Sequence, residues 1–307
     1  MFYLALATLC SATIALIFKY TETHATNRNV ITTANYFIAF VTGLVLVWHQ
    51  QLLAPLTPLP NHLSFFQEVL LVLASPGDQL SSINSRLWAV SIGSTAGVFF
   101  FLSFLFYQKS VRENGVSLSG TFAKLGILIP MIFSIILWRE LPAFHQWVGI
   151  FLSLFSIVMV NMTFGNQKKF KLRPALILLF FFGGIAEFSN KIYQQYGVGD
   201  YKDLFLLCVF FVAFLISLSY TIHQRSKATK RDILTGFAVG IPNLFSSYFL
   251  ILSLATVKTS VAFPLYSAGS ILLITIGGRV IFGEAISAKN KLAIALTVIA
   301  LILVNLP

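Results

Sequence analysis

Ten apolar stretches follow one another along these 307 residues, each close to the roughly 20 residues a helix needs to cross a bilayer's hydrocarbon core. They run over 2–19, 30–49, 86–107, 116–138, 146–164, 174–195, 203–222, 232–254, 259–282 and 289–306. Charged residues make up 10% of the chain, against about 25% in a soluble domain. Such runs, with so few charges between them, predict an all-α integral membrane protein with ten transmembrane helices. The 31 phenylalanines suit a lipid-facing surface. The first run starts beside Met1 with no basic leader, so it reads as a retained span rather than a signal peptide.

One connector, 50–85, is long. It opens with Pro55, Pro58 and Pro60, holds a short apolar stretch from Leu63 to Ala74, and closes on Pro76-Gly77-Asp78. A dozen residues is too short to span upright, so an interfacial helix or lid is expected there.

A repeat divides the chain. Residues 137–161 align without a gap to 281–305, pairing Glu140 with Glu284, Gln146 with Asn290, Gly149 with Ala293 and Ser153 with Thr297. The halves are 1–164 and 165–307. Five spans in each half place the halves in opposite orientations, the inverted arrangement of many secondary transporters.

The net charge of +11 would suggest nucleic acid in a soluble protein, but here the basic residues occupy short connectors. Fourteen of the 21 lysines and arginines, from Lys19 and Arg28 to Lys289 and Lys291, fall on alternate connectors. Arg86, Arg139, Lys202 and Lys258 hold the other side. This bias puts the richer side in the cytoplasm and both termini outside. Cys10 and Cys208 lie within spans and imply neither a disulfide framework nor a metal cluster.

The two Glu-containing turns, Glu140-Leu141-Pro142 and Gly283-Glu284-Ala285, each close the fourth span of a half. With Pro130 and Pro264 inside spans four and nine, and Lys19-Tyr20 and Lys191 with Tyr193 closing spans one and six, the chain resembles the drug/metabolite transporter superfamily, EamA type. The resemblance implies alternating access, with spans 1, 3, 4, 6, 8 and 9 lining a cavity and spans 5 and 10 peripheral. It also implies export, and cytoplasmic termini, opposite to the charge bias.

Intramembrane charges usually face a cavity or a partner, because an isolated one costs about 2.5–3.5 kcal/mol on insertion scales. Lys124 lies about eight residues into the fourth span, with Ser117 and Thr121 on its face at helical spacing. A cation there would bind a carboxylate or other anion; the plainer reading is a snorkelling or ion-paired lysine. Glu187 in the sixth span could carry a proton or bind an amino group, with Asn190 and Lys191 following; at i+4, Lys191 could also neutralise it. Asn243 beside Pro242, Tyr266 and Ser267 near Pro264, and Asn35 in the second span are further candidate substrate contacts.

Glu140 and Glu284, at helix ends, read as turn-capping or gate-closing residues rather than substrate ligands. Trp48, Trp88, Trp138 and Trp147 read as interfacial anchors. Small residues on one face of spans five and ten (Gly149, Ser153, Ser156; Ala293, Thr297, Ala300) permit close packing, within one chain or in a homodimer.

Catalytic motifs of the His-Glu-x-x-His, Gly-x-Ser-x-Gly or Walker type are missing, which argues against an enzyme and against ATP drive within this chain. The expected protein is a multi-pass secondary transporter of the bacterial inner membrane, without a prosthetic group or nucleic-acid partner. It would export a small polar metabolite, with amino acids or organic anions favoured. A proton-coupled multidrug exporter of cationic or aromatic compounds, and a receptor or assembly subunit that binds without moving its ligand, are the alternatives.

Overall fold

The computed structural model describes residues 1–22, 26–52, 63–75, 77–114, 116–161, 174–283 and 288–306. Every regular element among them is helical: α1 (Phe2–Glu22), α2 (Arg28–His49), α3 (Phe65–Ala74), α4 (Ser82–Asn114), α5 (Val116–Leu125), α6 (Leu128–Trp138), α7 (Phe144–Asn161), α8 (Pro174–Tyr196), α9 (Lys202–His223), α10 (Lys230–Leu254), α11 (Thr259–Phe282) and α12 (Ala288–Asn305). A single 3₁₀ turn, Gly199–Tyr201, precedes α9. Seven helices are long and apolar enough to cross a membrane: α1, α2, α4, α8, α9, α10 and α11.

Two expected boundaries fail. The third span, read as 86–107, is a helix from Ser82 to Asn114. Hydropathy marks where apolar side chains stop, whereas backbone hydrogen bonding continues through the polar flanks. At the start of α4 the Ser85 hydroxyl donates to the Leu80 carbonyl (2.9 Å) and accepts the Val198 N–H (3.1 Å).

The fourth span is broken into α5 and α6 at Gly126 and Ile127. Pro130 is the cause: it has no N–H to offer the carbonyl four residues back, and its ring crowds that carbonyl. The freed Gly126 carbonyl accepts the N–H of Ile129 instead, at 3.0 Å.

The described chain forms two compact units, each combining segments from both sides of residue 164. One comprises Met1–Leu16, Leu102–Phe188 and Thr256–Pro307; the other comprises Ile17–Phe101 and Ser189–Ala255.

In the first unit α7 packs along α12, and α11 packs against α6 and α7. The small-residue stripes meet within one chain: the Ser156 hydroxyl lies 2.8 Å from that of Thr297 and donates to the Ala293 carbonyl at 3.0 Å. Ser153 and Ala300 are buried on the same helices.

The second unit is built on α2, which packs against α9 and α10. Glycines set the spacing. A Cβ at Gly236 would stand 2.6 Å from the Ile31 carbonyl oxygen, and one at Gly240 would strike the Asn35 carbonyl. Gly93 and Gly97 of α4 do the same against the carbonyls of Phe205 and Val209. This is the small-residue packing that lets apolar helices gain dispersion contacts without a hydrophobic driving force between them. Tyr193 and Phe205, both fully buried, stack with ring centres 4.6 Å apart at the heart of this unit.

The expected short helix after the prolines is α3. A Ser64–Gln67 capping box starts it, and the Glu68 carboxylate ties it to α4 by accepting from Ser81 N–H (2.5 Å), the Ser81 hydroxyl (2.9 Å) and the Asn84 amide. Phe66, Leu70 and Leu71 stay exposed. The connector residues 53–62 lie outside the described residues.

Candidate functional site

Lys124 occupies the last turn of α5, immediately before the break that Pro130 imposes. The carbonyls at that helix end carry partial negative charge, which favours a cation there. Gly184 of α8 lies against the break: a Cβ on it would stand 2.5 Å from the Gly126 carbonyl oxygen. That close approach puts Glu187, one turn further along α8, within electrostatic reach of Lys124. On the other side the Lys124 ammonium stands 6.0 Å from the ring centre of buried Tyr266 on α11, at the outer limit for a cation–π contact.

The first unit thus brings together one cation, one carboxylate and one aromatic face, from three helices. Ser267, next to Tyr266, is buried in the same unit. The side chains of Ser117 and Thr121 lie outside the described residues; their backbone is helical, as expected. Phe133, Trp138 and Phe188 add an aromatic cluster, with Phe188 stacked on Phe133 at 5.1 Å and tilted against Trp138 at 5.9 Å. Chemically, the group offers opposite charges beside a π face, which suits a ligand with both a carboxylate and an amine or apolar ring.

The remaining predicted residues belong to the second unit. Asn243 donates its side-chain amide to the Asn35 Oδ1 at 3.1 Å, so these two partner each other across α10 and α2. Lys191 is buried and donates to the Gln194 side chain at 3.0 Å, and Asn190 is fully buried beside it.

Glu140 caps a helix, as expected for its turn. Its carboxylate accepts the Thr259 N–H at 2.5 Å, and its backbone carbonyl accepts the Ser260 hydroxyl at 2.9 Å, both at the start of α11. Lys258 closes the same corner by donating to the Leu141 carbonyl at 2.8 Å. Glu284 falls outside the described residues. Trp48 is 80% exposed, which fits an interfacial side chain, whereas Trp88 buries its indole nitrogen and packs edge-on to Tyr196.

Sequence reasoning missed Asp203. It reads as the polar edge of a span, yet its carboxylate is completely buried in the first turn of α9. No spacing rule marks it, because its burial comes from packing by other helices.

No family model matches the chain. An uncharacterized protein of Haemophilus influenzae is 24% identical over 203 residues, which is 64% of this chain and 69% of that protein. A protein of known crystal structure superposes with a TM-score of 0.66 at 17% identity, over 99% of this chain and 95% of its own. At that identity the likeness shows a shared fold and no more.

Proposed function

We propose that this protein is a secondary carrier of ten spans, arranged as two inverted five-helix repeats in the manner of the EamA-type drug/metabolite transporters. It sits in the bacterial inner membrane and exports a small polar metabolite by alternating access. In this reading the seven long apolar helices are joined as spans by the shorter apolar segments: the broken α5–α6 pair, α7 and α12. The helix α3 rests at the interface.

The observation that carries the substrate assignment is Lys124. An ammonium in the last turn of an interrupted intramembrane helix, facing Tyr266 and within reach of Glu187, suits the carboxylate of a zwitterion. Tyr266 and Ser267 complete that end of the site, and Glu187 meets the amino group or couples a proton. A multidrug exporter for cationic or aromatic compounds is the second reading. The Phe133–Phe188–Trp138 cluster, whose Phe188 follows Glu187 in sequence, favours it, and the positive charge of Lys124 opposes it.

A thermal-shift screen of the purified protein and Lys124→Ala against amino acids, organic anions and cationic dyes separates the two. A ligand held by the native state raises its apparent stability. Stabilisation by carboxylates that Lys124→Ala loses supports the anion site, and flux into sealed vesicles then separates a carrier from a binding subunit. Stabilisation by cationic dyes alone, unchanged in Lys124→Ala, overturns the anion assignment.

A further inference from the structure

Three carboxylates in the first turns of α-helices, outside the candidate site, are not alike. Glu68 accepts hydrogen bonds from Ser81 and Asn84. Asp232, buried in the first turn of α10, accepts from the Thr229 N–H (3.0 Å), the Thr229 hydroxyl (2.8 Å) and the Asn27 N–H (3.0 Å). These carboxylates hold helix ends together.

Asp203 occupies the same kind of position, the first turn of α9, and is fully buried, but neither oxygen has a hydrogen-bond donor among the described residues. The Lys202 ammonium stands 3.9 Å from one carboxylate oxygen, an ion pair too long for a hydrogen bond. That ammonium is also engaged elsewhere, 4.9 Å from the ring centre of Tyr248 on α10.

The described neighbours form no hydrogen bond to the Asp203 carboxylate. The Tyr193 hydroxyl of α8 gives its hydrogen to the Val198 carbonyl at 2.7 Å. Asp203, Asp200 and Tyr201 each act electrostatically on Tyr193, and the Arg86 guanidinium of α4 lies 5.8 Å from the centre of the Tyr201 ring. From the end of α2, the neutral Gln50 side chain approaches without reaching hydrogen-bonding geometry.

An ionised carboxylate taken out of water without donors is strongly disfavoured, and a bound proton removes the charge. A metal cation would need several oxygen ligands and would sit beside the Lys202 ammonium, so the proton is the ligand this chemistry selects. We propose that Asp203 is a reversible proton-binding site of the second unit, and that its protonation is the coupling step of the carrier, which leaves Glu187 to meet the substrate's amino group. The coupling role rests on the carrier reading; proton binding by Asp203 does not.

Infrared difference spectra of the purified full-length protein, taken between acid and alkaline pH, test the proton directly. The expected result is a protonated-carboxyl stretch that Asp203→Asn abolishes and Asp203→Glu moves in frequency. Asp203→Glu serves as the readout should Asp203→Asn fail to fold. A wild-type band that neither variant alters, or no titrating band at all, overturns the proposal.

Coupling is read separately in proteoliposomes, as proton flux driven by a gradient of whichever amino acid the stability screen retrieves. Loss of proton flux in Asp203→Asn with substrate exchange intact is the expected outcome. Unchanged proton flux overturns the coupling role while leaving the infrared result standing. Loss of the wild type's own substrate flux would instead indict the carrier reading.

Discussion

Arg139 and Gly283 end their helices in the same left-handed conformation, with φ near 52° and 67°. They occupy equivalent positions in the repeat that aligns 137–161 with 281–305. At the first, the N–H groups of Arg139 and Glu140 both turn back to the Ser134 carbonyl; at the second, the Gly283 N–H meets the carbonyls of Arg279 and Gly278. The two copies therefore share a backbone stop signal, although only one of them spells it with glycine.

A Cβ in this conformation is unfavourable by about 1–2 kcal/mol, offset in part by glycine's larger entropy loss on folding. Arg139→Gly is expected to raise the apparent melting temperature in detergent, corresponding to about 1 kcal/mol or less. Gly283→Arg is expected to lower it. A fall in melting temperature for Arg139→Gly would show that the arginine side chain contributes more than its backbone costs.

Glu140 closes the start of α11 from a distance of more than a hundred residues in sequence, by accepting the Thr259 N–H. Removing a carboxylate that satisfies free helix N–H groups costs about 0.5–2 kcal/mol. Glu140→Ala should lose that amount of thermal stability while leaving ligand-induced stabilisation intact. Selective loss of the ligand response at unchanged stability would move Glu140 into the binding machinery.

The Asn243–Asn35 hydrogen bond joins α10 to α2 inside one unit. Interhelical hydrogen bonds in membrane proteins average about 0.6 kcal/mol and reach about 1.7 kcal/mol. A double-mutant cycle of Asn35→Ala and Asn243→Ala, read by unfolding in detergent, should give a coupling energy in that range. Additive effects would mean that the amides act independently and stand free for a ligand.

Much of the fold was legible along the chain. The span 259–282 matches α11 in both boundaries, because its apolar run, its Lys258 edge and its Gly283 stop all coincide. The small residues of α7 and α12 announced a close-packed seam, since residues three and four apart share a helix face whatever the partner. Lys124 was conspicuous because a charge deep in an apolar run is rare for an energetic reason.

Other features needed the third dimension. Pro130 permitted a kink or a break; the structure has the break, with Gly184 of α8 packed against it and Lys124 at the gap. The meeting of Lys124 with Glu187 and Tyr266 joins residues from three helices, which no local periodicity encodes. Asn243 and Asn35, two candidate substrate contacts far apart in sequence, are joined to each other by a hydrogen bond. Asp203 and Asp232 are both acids in first helical turns, alike in sequence. Among the described residues Asp232 is given three donors by its neighbours and Asp203 none, because hydrogen-bond satisfaction depends on what the rest of the chain packs against it, whereas helix formation depends on what lies within a few residues.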